Sequence, residues 1–167
     1  MAFAPRQAWR RISRLLATGL GVGFIPVMPG TFGSLWGLPL VWLLQRLCGV
    51  GTVAFAICAL VILLLAVAVC HRARLDFEGH DPKQIVFDEI AAFPVVFLFV
   101  PIDWMTAIWG FVWFRLFDIV KPWPIKRLEK LPGGLGITID DFVAGVYAAA
   151  ALMFSVQARA LLDQWYG

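Results

Sequence analysis

The sequence predicts an all-α protein: a polytopic membrane helical bundle of about five membrane-embedded segments, or four spans with a re-entrant hairpin, behind a basic N-terminal arm. Three observations carry this. Of 167 residues, 61% are apolar and only 15% charged, with a mean hydropathy of +0.83; soluble domains run about 45–50% apolar and about 25% charged. Uncharged runs recur at lengths near the roughly 20 helical residues that a hydrocarbon core requires. The charges fall almost wholly on one side of those runs. The length fits one domain, residues 1–167, and the composition excludes disordered, collagen-like and multidomain soluble chains.

Arg6, Arg10, Arg11 and Arg14 precede a short, Gly-rich apolar stretch broken by Pro26 and Pro29. With no small-x-small cleavage site after it, this segment reads as a retained cytoplasmic arm and not as a signal peptide. Ser34 to Gln45 and Leu47 to Cys70 are uncharged and joined by the turn-prone Gly49-Val50-Gly51, so they predict a helical hairpin. After the polar segment His71 to Glu89, two shorter apolar runs, Ile90 to Val100 and Trp104 to Phe114, flank Pro101-Ile102-Asp103. They predict a second hairpin or a re-entrant element, and periodicity alone does not choose between them. A second polar segment, Arg115 to Asp141, leads into a last apolar run, Phe142 to Ala158. Cys48, Cys58 and Cys70 form no CxxC pair, so they read as small buried hydrophobes and not as a zinc or disulfide framework.

Fourteen bases and eleven acids give a net charge of +3, but their distribution says more. With the arm inside, twelve bases fall on the cytoplasmic side and only Arg46 and Arg159 on the other, a strong positive-inside bias. Nine acids join them, leaving Asp103 and Asp163 outside. Asp88, Glu89 and Asp141 adjoin apolar spans, where a charge is costly unless paired or metal-bound. Helix capping by Asp140 and Asp141 is worth about 0.3–1 kcal/mol and explains one acid, not four.

Carboxylate clusters without a Cys or His set suit hard cations such as magnesium. Lys83, Arg115 and Lys121 lie within a few residues of acids in sequence. Fixed positive charge beside a held cation is what phosphoryl chemistry requires. Pro29-Gly30-Thr31-Phe32-Gly33-Ser34 is either a helix-start turn or a phosphate cradle; it lacks the lysine of a nucleotide P-loop. Cysteine, histidine and DxDx[TV] phosphatase mechanisms lack their residues, which leaves metal-assisted hydrolysis. A small proton- or ion-coupled transporter is the alternative, but it predicts mid-span acids on both halves and an internal repeat. Residues 50–70 and 143–156 contain no acid.

Four blocks, Pro29 to Ser34, His80 to Glu89, Phe114 to Ile125 and Gly133 to Gly145, closely resemble the phosphatidylglycerophosphatase A family in sequence and order. One departure is Ala91-Ala92, where the family usually carries a glycine. The resemblance implies a magnesium-dependent lipid phosphatase of the bacterial cell inner membrane, with its active site facing the cytoplasm. It would remove the terminal phosphate of phosphatidylglycerophosphate to give phosphatidylglycerol in phospholipid biosynthesis. Its partners would be the bilayer and this phospholipid, with no nucleic acid. The matching positions are Thr31, Ser34, Asp81, Lys83, Asp88, Glu89, Arg115, Asp118, Lys121, Asp140 and Asp141. On this reading Asp88, Glu89, Asp118, Asp140 and Asp141 hold one or two magnesium ions. Lys83, Arg115 and Lys121 bind the phosphate with Thr31 and Ser34, and Asp81 is a candidate base or outer-shell ligand. The catalytic group is Asp81, Asp88, Glu89, Asp118 and Asp141.

Overall fold

The computed structural model describes residues 5–77 and 82–166, and within these the chain is helical with no strand. The helices are α1 (Pro5–Ala17), α2 (Pro29–Cys48), α3 (Val53–Ala73), α4 (Phe87–Val96), α5 (Trp104–Val120), α6 (Ile125–Leu128) and α7 (Gly134–Tyr166). Asp81 lies outside the described residues.

The first predicted hairpin forms as α2 and α3. Thr52 fixes the start of α3 by accepting a hydrogen bond from the Phe55 amide at 3.1 Å, the standard N-cap arrangement. Two helices among the described residues, α3 and α7, are long and apolar enough to cross a membrane. The α3 face carrying Ile57, Leu60, Val61 and Leu64 is exposed. So much uncovered aliphatic surface is costly in water and fits a lipid environment.

The second hairpin is asymmetric. Its first arm, α4, has ten residues, about 15 Å of helix, half of what a span needs. It is central nonetheless, packing on α2, α3 and α7, and eight of its residues are buried. Close approach depends on small partners: a Cβ on Gly37 would come within 2.6 Å of the Phe93 ring. Phe93 in turn meets Phe114 of α5 edge-on, with ring centroids 4.9 Å apart. Notches of this kind supply helix packing where lipid removes the hydrophobic drive.

Ending α4 early frees backbone groups at the far end of the molecule, where they must find partners. Gln45 of α2 supplies them. Its amide nitrogen donates to the carbonyls of Phe97 (3.0 Å) and Val100 (2.8 Å), and its amide oxygen accepts from the Ile102 N–H at 2.8 Å. The Gly51 N–H also donates to the Leu98 carbonyl at 2.9 Å, which ties the α2–α3 turn to the same connection. Asp103 then starts α5 with a capping box, accepting from the Met105 and Thr106 amides at 2.8 Å.

The last helix differs from expectation at its start. α7 begins at Gly134 and not near Phe142, so Asp140 and Asp141 stand in its second turn and cap nothing. Gly134 at this start is a packing residue. A Cβ on Gly134 would overlap the Val67 carbonyl of α3, and the Gly134 amide donates to His71 Nδ1 at 3.3 Å. The basic arm forms α1, which packs against α3. Arg10 pairs with Asp76 at 2.7 Å.

Candidate active site

Four helix ends and one loop meet at the end of the bundle opposite the Gln45 clamp. They surround a cavity of about 400 Å³. The start of α2 contributes Pro29 and Gly30, and the first turn of α4 contributes Asp88 and Glu89. The C-terminal end of α5 gives Arg115 and, one turn on, Asp118, with Lys121 just beyond the helix, and α7 gives Asp140 and Asp141. Lys83 reaches the cavity from the segment before α4. Eight of the charged residues singled out from sequence, drawn from three separate polar blocks, therefore line one space.

The cations are held by acids. Arg115 Nη1 lies 3.1 Å from Glu89 Oε1 and 2.8 Å from Asp118 Oδ2. Lys121 Nζ lies 2.8 Å from both Asp140 Oδ2 and Glu129 Oε2. Lys121 reaches Asp140 from a left-handed backbone conformation, φ 45°, which is costly for a non-glycine residue. Proline at 122 prevents the helix from continuing, and the ion pairs hold the turn. Burial opposes the charge on Lys121, but its hydrogen bonds to Asp140 and Glu129 prevail and raise its pKa. Glu129 was not singled out from sequence. It sits at the end of a single-turn helix after a Trp-Pro pair, where only its charge distinguishes it.

The Gly-rich block acts here as a seat for Glu89. A Cβ on Gly30 would overlap the Glu89 carboxylate, and one on Gly33 would come within 2.9 Å of it and 2.7 Å of Val86 Cβ. Ser34 is buried behind this contact, with Arg115 Nη1 donating to its Oγ at 3.5 Å. The Thr31 hydroxyl is buried without a hydrogen-bond partner. Neither Thr31 nor Ser34 lines the cavity. The segment thus supports the side chains that face the ligand space.

Five carboxylates against three cations leave the cavity with a formal charge of −2. Asp88, Asp140 and Asp141 are each at most 6% exposed, so water screens them poorly, and Asp88, Asp118, Asp140 and Glu89 all repel Asp141. A phosphomonoester dianion would meet net repulsion here unless positive charge entered with it. The donor atoms are all carboxylate oxygens, the chemistry of a hard divalent cation. Among the described residues, no three His, Cys, Asp or Glu side chains converge closely enough to define a coordination shell. The fit therefore rests on charge and donor type.

The phosphatidylglycerophosphatase A family profile matches residues 15–156. The phosphatidylglycerophosphatase A of Escherichia coli is 39% identical over 145 residues, covering 84% of this chain and 81% of the relative. The Haemophilus influenzae protein of the same name is 40% identical over 145 residues, covering 86% and 87%. A Bacteroides thetaiotaomicron protein, provisionally named a phosphatidylinositol-3-phosphatase, is 35% identical over 139 residues, covering 80% and 87%. No solved structure matches the chain.

Proposed function

Because the chain belongs to the phosphatidylglycerophosphatase A family, and is by that membership a phosphoric monoester hydrolase, we propose that its cavity removes the terminal phosphate of phosphatidylglycerophosphate with the aid of Mg2+. The observation that carries this reading is the convergence of Lys83, Arg115 and Lys121 with Asp88, Glu89, Asp118, Asp140 and Asp141 around one space of about 400 Å³. Arg115, held by Glu89 and Asp118, keeps further guanidinium N–H groups to donate to phosphoryl oxygens. Lys121, fixed between Asp140 and Glu129, stays charged on the other side of the space. Lys83, exposed at the rim, has no ion-pair partner among the described residues and meets the phosphate as it arrives. Ser34 steadies Arg115.

One or two Mg2+ ions would be held by carboxylates drawn from Asp88, Glu89, Asp118, Asp140 and Asp141. A bound divalent ion neutralises phosphoryl charge and acidifies water at neutral pH. Asp81 is retained as a base or outer-shell partner on its place in the sequence motif alone, and water remains the preferred nucleophile over an aspartate.

The lipid tails would stay in the bilayer. Met28 lines the cavity, and it and the nearby Phe24 and Val27 are exposed, as an apolar lip on a phosphate site would be. We place the cavity at the cytoplasmic face of the bacterial inner membrane, with α2, α3, α4, α5 and α7 as the five embedded segments; the one-sided charge distribution supports this orientation. The transporter alternative draws no support from the relatives, and among the described residues the middle of α3 carries no acid.

Phosphate release from phosphatidylglycerophosphate in mixed micelles tests the proposal. Release should require Mg2+ and stop with EDTA. Equal release with and without the metal would refute the metal site, and no release in either condition would refute the substrate.

A further inference from the structure

An apolar groove of about 300 Å³ lies beside the charged cavity, walled by Leu16 and Leu20, Trp36 and Leu40, and Phe87 and Ile90. Its walls carry no charge. Val86 and Gly33 stand between it and Glu89 of the cavity. Val86 touches the floor of the groove at Gly19, where a Cβ would stand 3.0 Å from Val86 Cγ2. On its other side it meets Gly33, which abuts Glu89.

Helix α2 runs past both spaces. Gly30 lines the cavity, while Trp36 and Leu40 line the groove six and ten residues further along, about 9 and 15 Å deeper at 1.5 Å per residue. The groove therefore descends from the level of the catalytic carboxylates toward the middle of the bundle.

It is also continuous with an unusual face of α1. That helix packs on the bundle through Ser13 and Ala17, both buried, while Trp9, Ile12 and Leu15 are about half exposed. Arg10 pairs with Asp76, and Arg14 lies over the Phe24 and Phe77 rings. An amphipathic helix docked by its small and basic residues, with its apolar side turned outward, is arranged for the interfacial layer of a membrane. Leu16 carries that apolar side into the groove.

We infer that the groove binds an acyl chain of the same phospholipid whose phosphate occupies the cavity. The partition of charge selects the occupant: with the divalent cation of the proposed function in place, the cavity beside Arg115, Lys121 and Lys83 takes an anionic group, and an uncharged chain suits the groove walls below. An amphiphile with a phosphate head has both at this spacing. The inference rests on the function proposed above and adds a subsite to it.

The test compares long-chain dioleoyl substrate with a short-chain dibutyryl analogue. Leu40→Trp fills the lower groove without touching the charged residues. It should raise KM for the dioleoyl substrate roughly tenfold, close to the effect of two buried methylene groups, and leave kcat/KM for the dibutyryl analogue unchanged. An equal effect on both substrates, or on neither, overturns the inference. A parent protein that hydrolyses neither substrate overturns the proposed function instead. In a second, fold-independent measurement, a substrate with a chain-borne diazirine is photolysed with the parent protein. Adducts within residues 16–20, 36–40 or 87–90 are expected, and adducts confined to the exposed faces of α3 and α7 would refute the subsite.

Discussion

Replacing Gly30 with alanine adds one methyl group where α2 meets the Glu89 carboxylate. Gly30 has an ordinary helical backbone, so the substitution by itself should stabilise the fold by about 0.4–1 kcal/mol through reduced freedom of the unfolded chain. Against this, the new Cβ would overlap Glu89, nearest its Oε1, and overpacking of this kind costs about 1–3 kcal/mol. The net is a loss of roughly 0–2.6 kcal/mol, so the melting temperature should fall by a few degrees. Activity should respond far more. Glu89 Oε1 holds Arg115 at 3.1 Å, so pushing the carboxylate aside moves the guanidinium as well. A misplacement of about 1 Å can cost 10²-fold in rate, equivalent to about 2.7 kcal/mol of barrier. Phosphate release and thermal unfolding, measured on the same detergent-solubilised protein, separate the two outcomes. Glu89→Asp shortens the carboxylate and should restore part of the lost rate in the double variant, a non-additivity expected of residues in contact. A folded Gly30→Ala protein with the parent kcat would refute the seat assigned to Glu89.

Asp88→Asn and Asp141→Asn proteins should fold and yet release phosphate at less than about 1% of the parent rate, since one preorganised charge at such a site is worth about 10²–10³-fold; near-parent rates would remove these residues from the site. Lys121→Met leaves Asp140 without its cation and should cost roughly 2–3 kcal/mol in denaturant unfolding, below the 3–5 of a fully buried pair because the ammonium is partly exposed. Since the folded pKa of Lys121 is raised, its stabilisation is complete below the ordinary lysine pKa and is lost only as pH climbs through the folded value. The stability gap between the parent and Lys121→Met should thus stay constant from about pH 7 to 9, and a gap that narrows there contradicts the pairing. Asp103→Ala removes the α5 capping box and should cost about 0.5–2 kcal/mol. Hydrogen bonding from the Thr106 amide outweighs a small opposing effect of burial and lowers the Asp103 pKa, so the cap contributes above the ordinary carboxyl pKa and is lost as pH falls through the lowered folded value. The gap between the parent and Asp103→Ala should therefore be the same at about pH 5 as at neutrality and shrink as pH falls below the ordinary carboxyl pKa; a gap that stays constant down to the acid limit of folding would show that the cap does not depend on the ionised carboxylate.

The elements most legible in the sequence are those whose signal does not depend on context. The uncharged run Leu47–Cys70 places α3 because its residues leave no other environment for so much apolar surface, although the first six belong to the end of α2 and the turn. The run Ile90–Val100 gives the position of α4 but not its short length, which depends on a glutamine some fifty residues away that donates to two carbonyls of its exit and accepts from one N–H. The start of α7 was not legible because it lies within the polar segment Arg115 to Asp141, where Gly134 lets two helices touch and only the nearby Val67 carbonyl shows it. In the site, charges beside apolar runs were readable because burial of a charge needs a reason. The buried hydroxyls of Thr31 and Ser34 were found as part of a motif but stand behind the cavity, since a pattern of residue types does not say which way each faces. Glu129 was missed because a lone acid near prolines looks like any solvated loop residue, and its pairing with Lys121 follows from a backbone turn that no periodicity encodes.

The Gln45 clamp has a mechanical consequence. Asp88 and Glu89 ride on the upper end of a ten-residue rod whose lower end is bolted, through one amide group, to the helix that also carries Gly30 and Gly33. Both walls of the charged cavity are therefore tied to one another along the bundle axis, and a shift of one carries the other with it, so the gap between them is preserved. The position of the carboxylates at one end of the bundle is thus set by a single glutamine at the other.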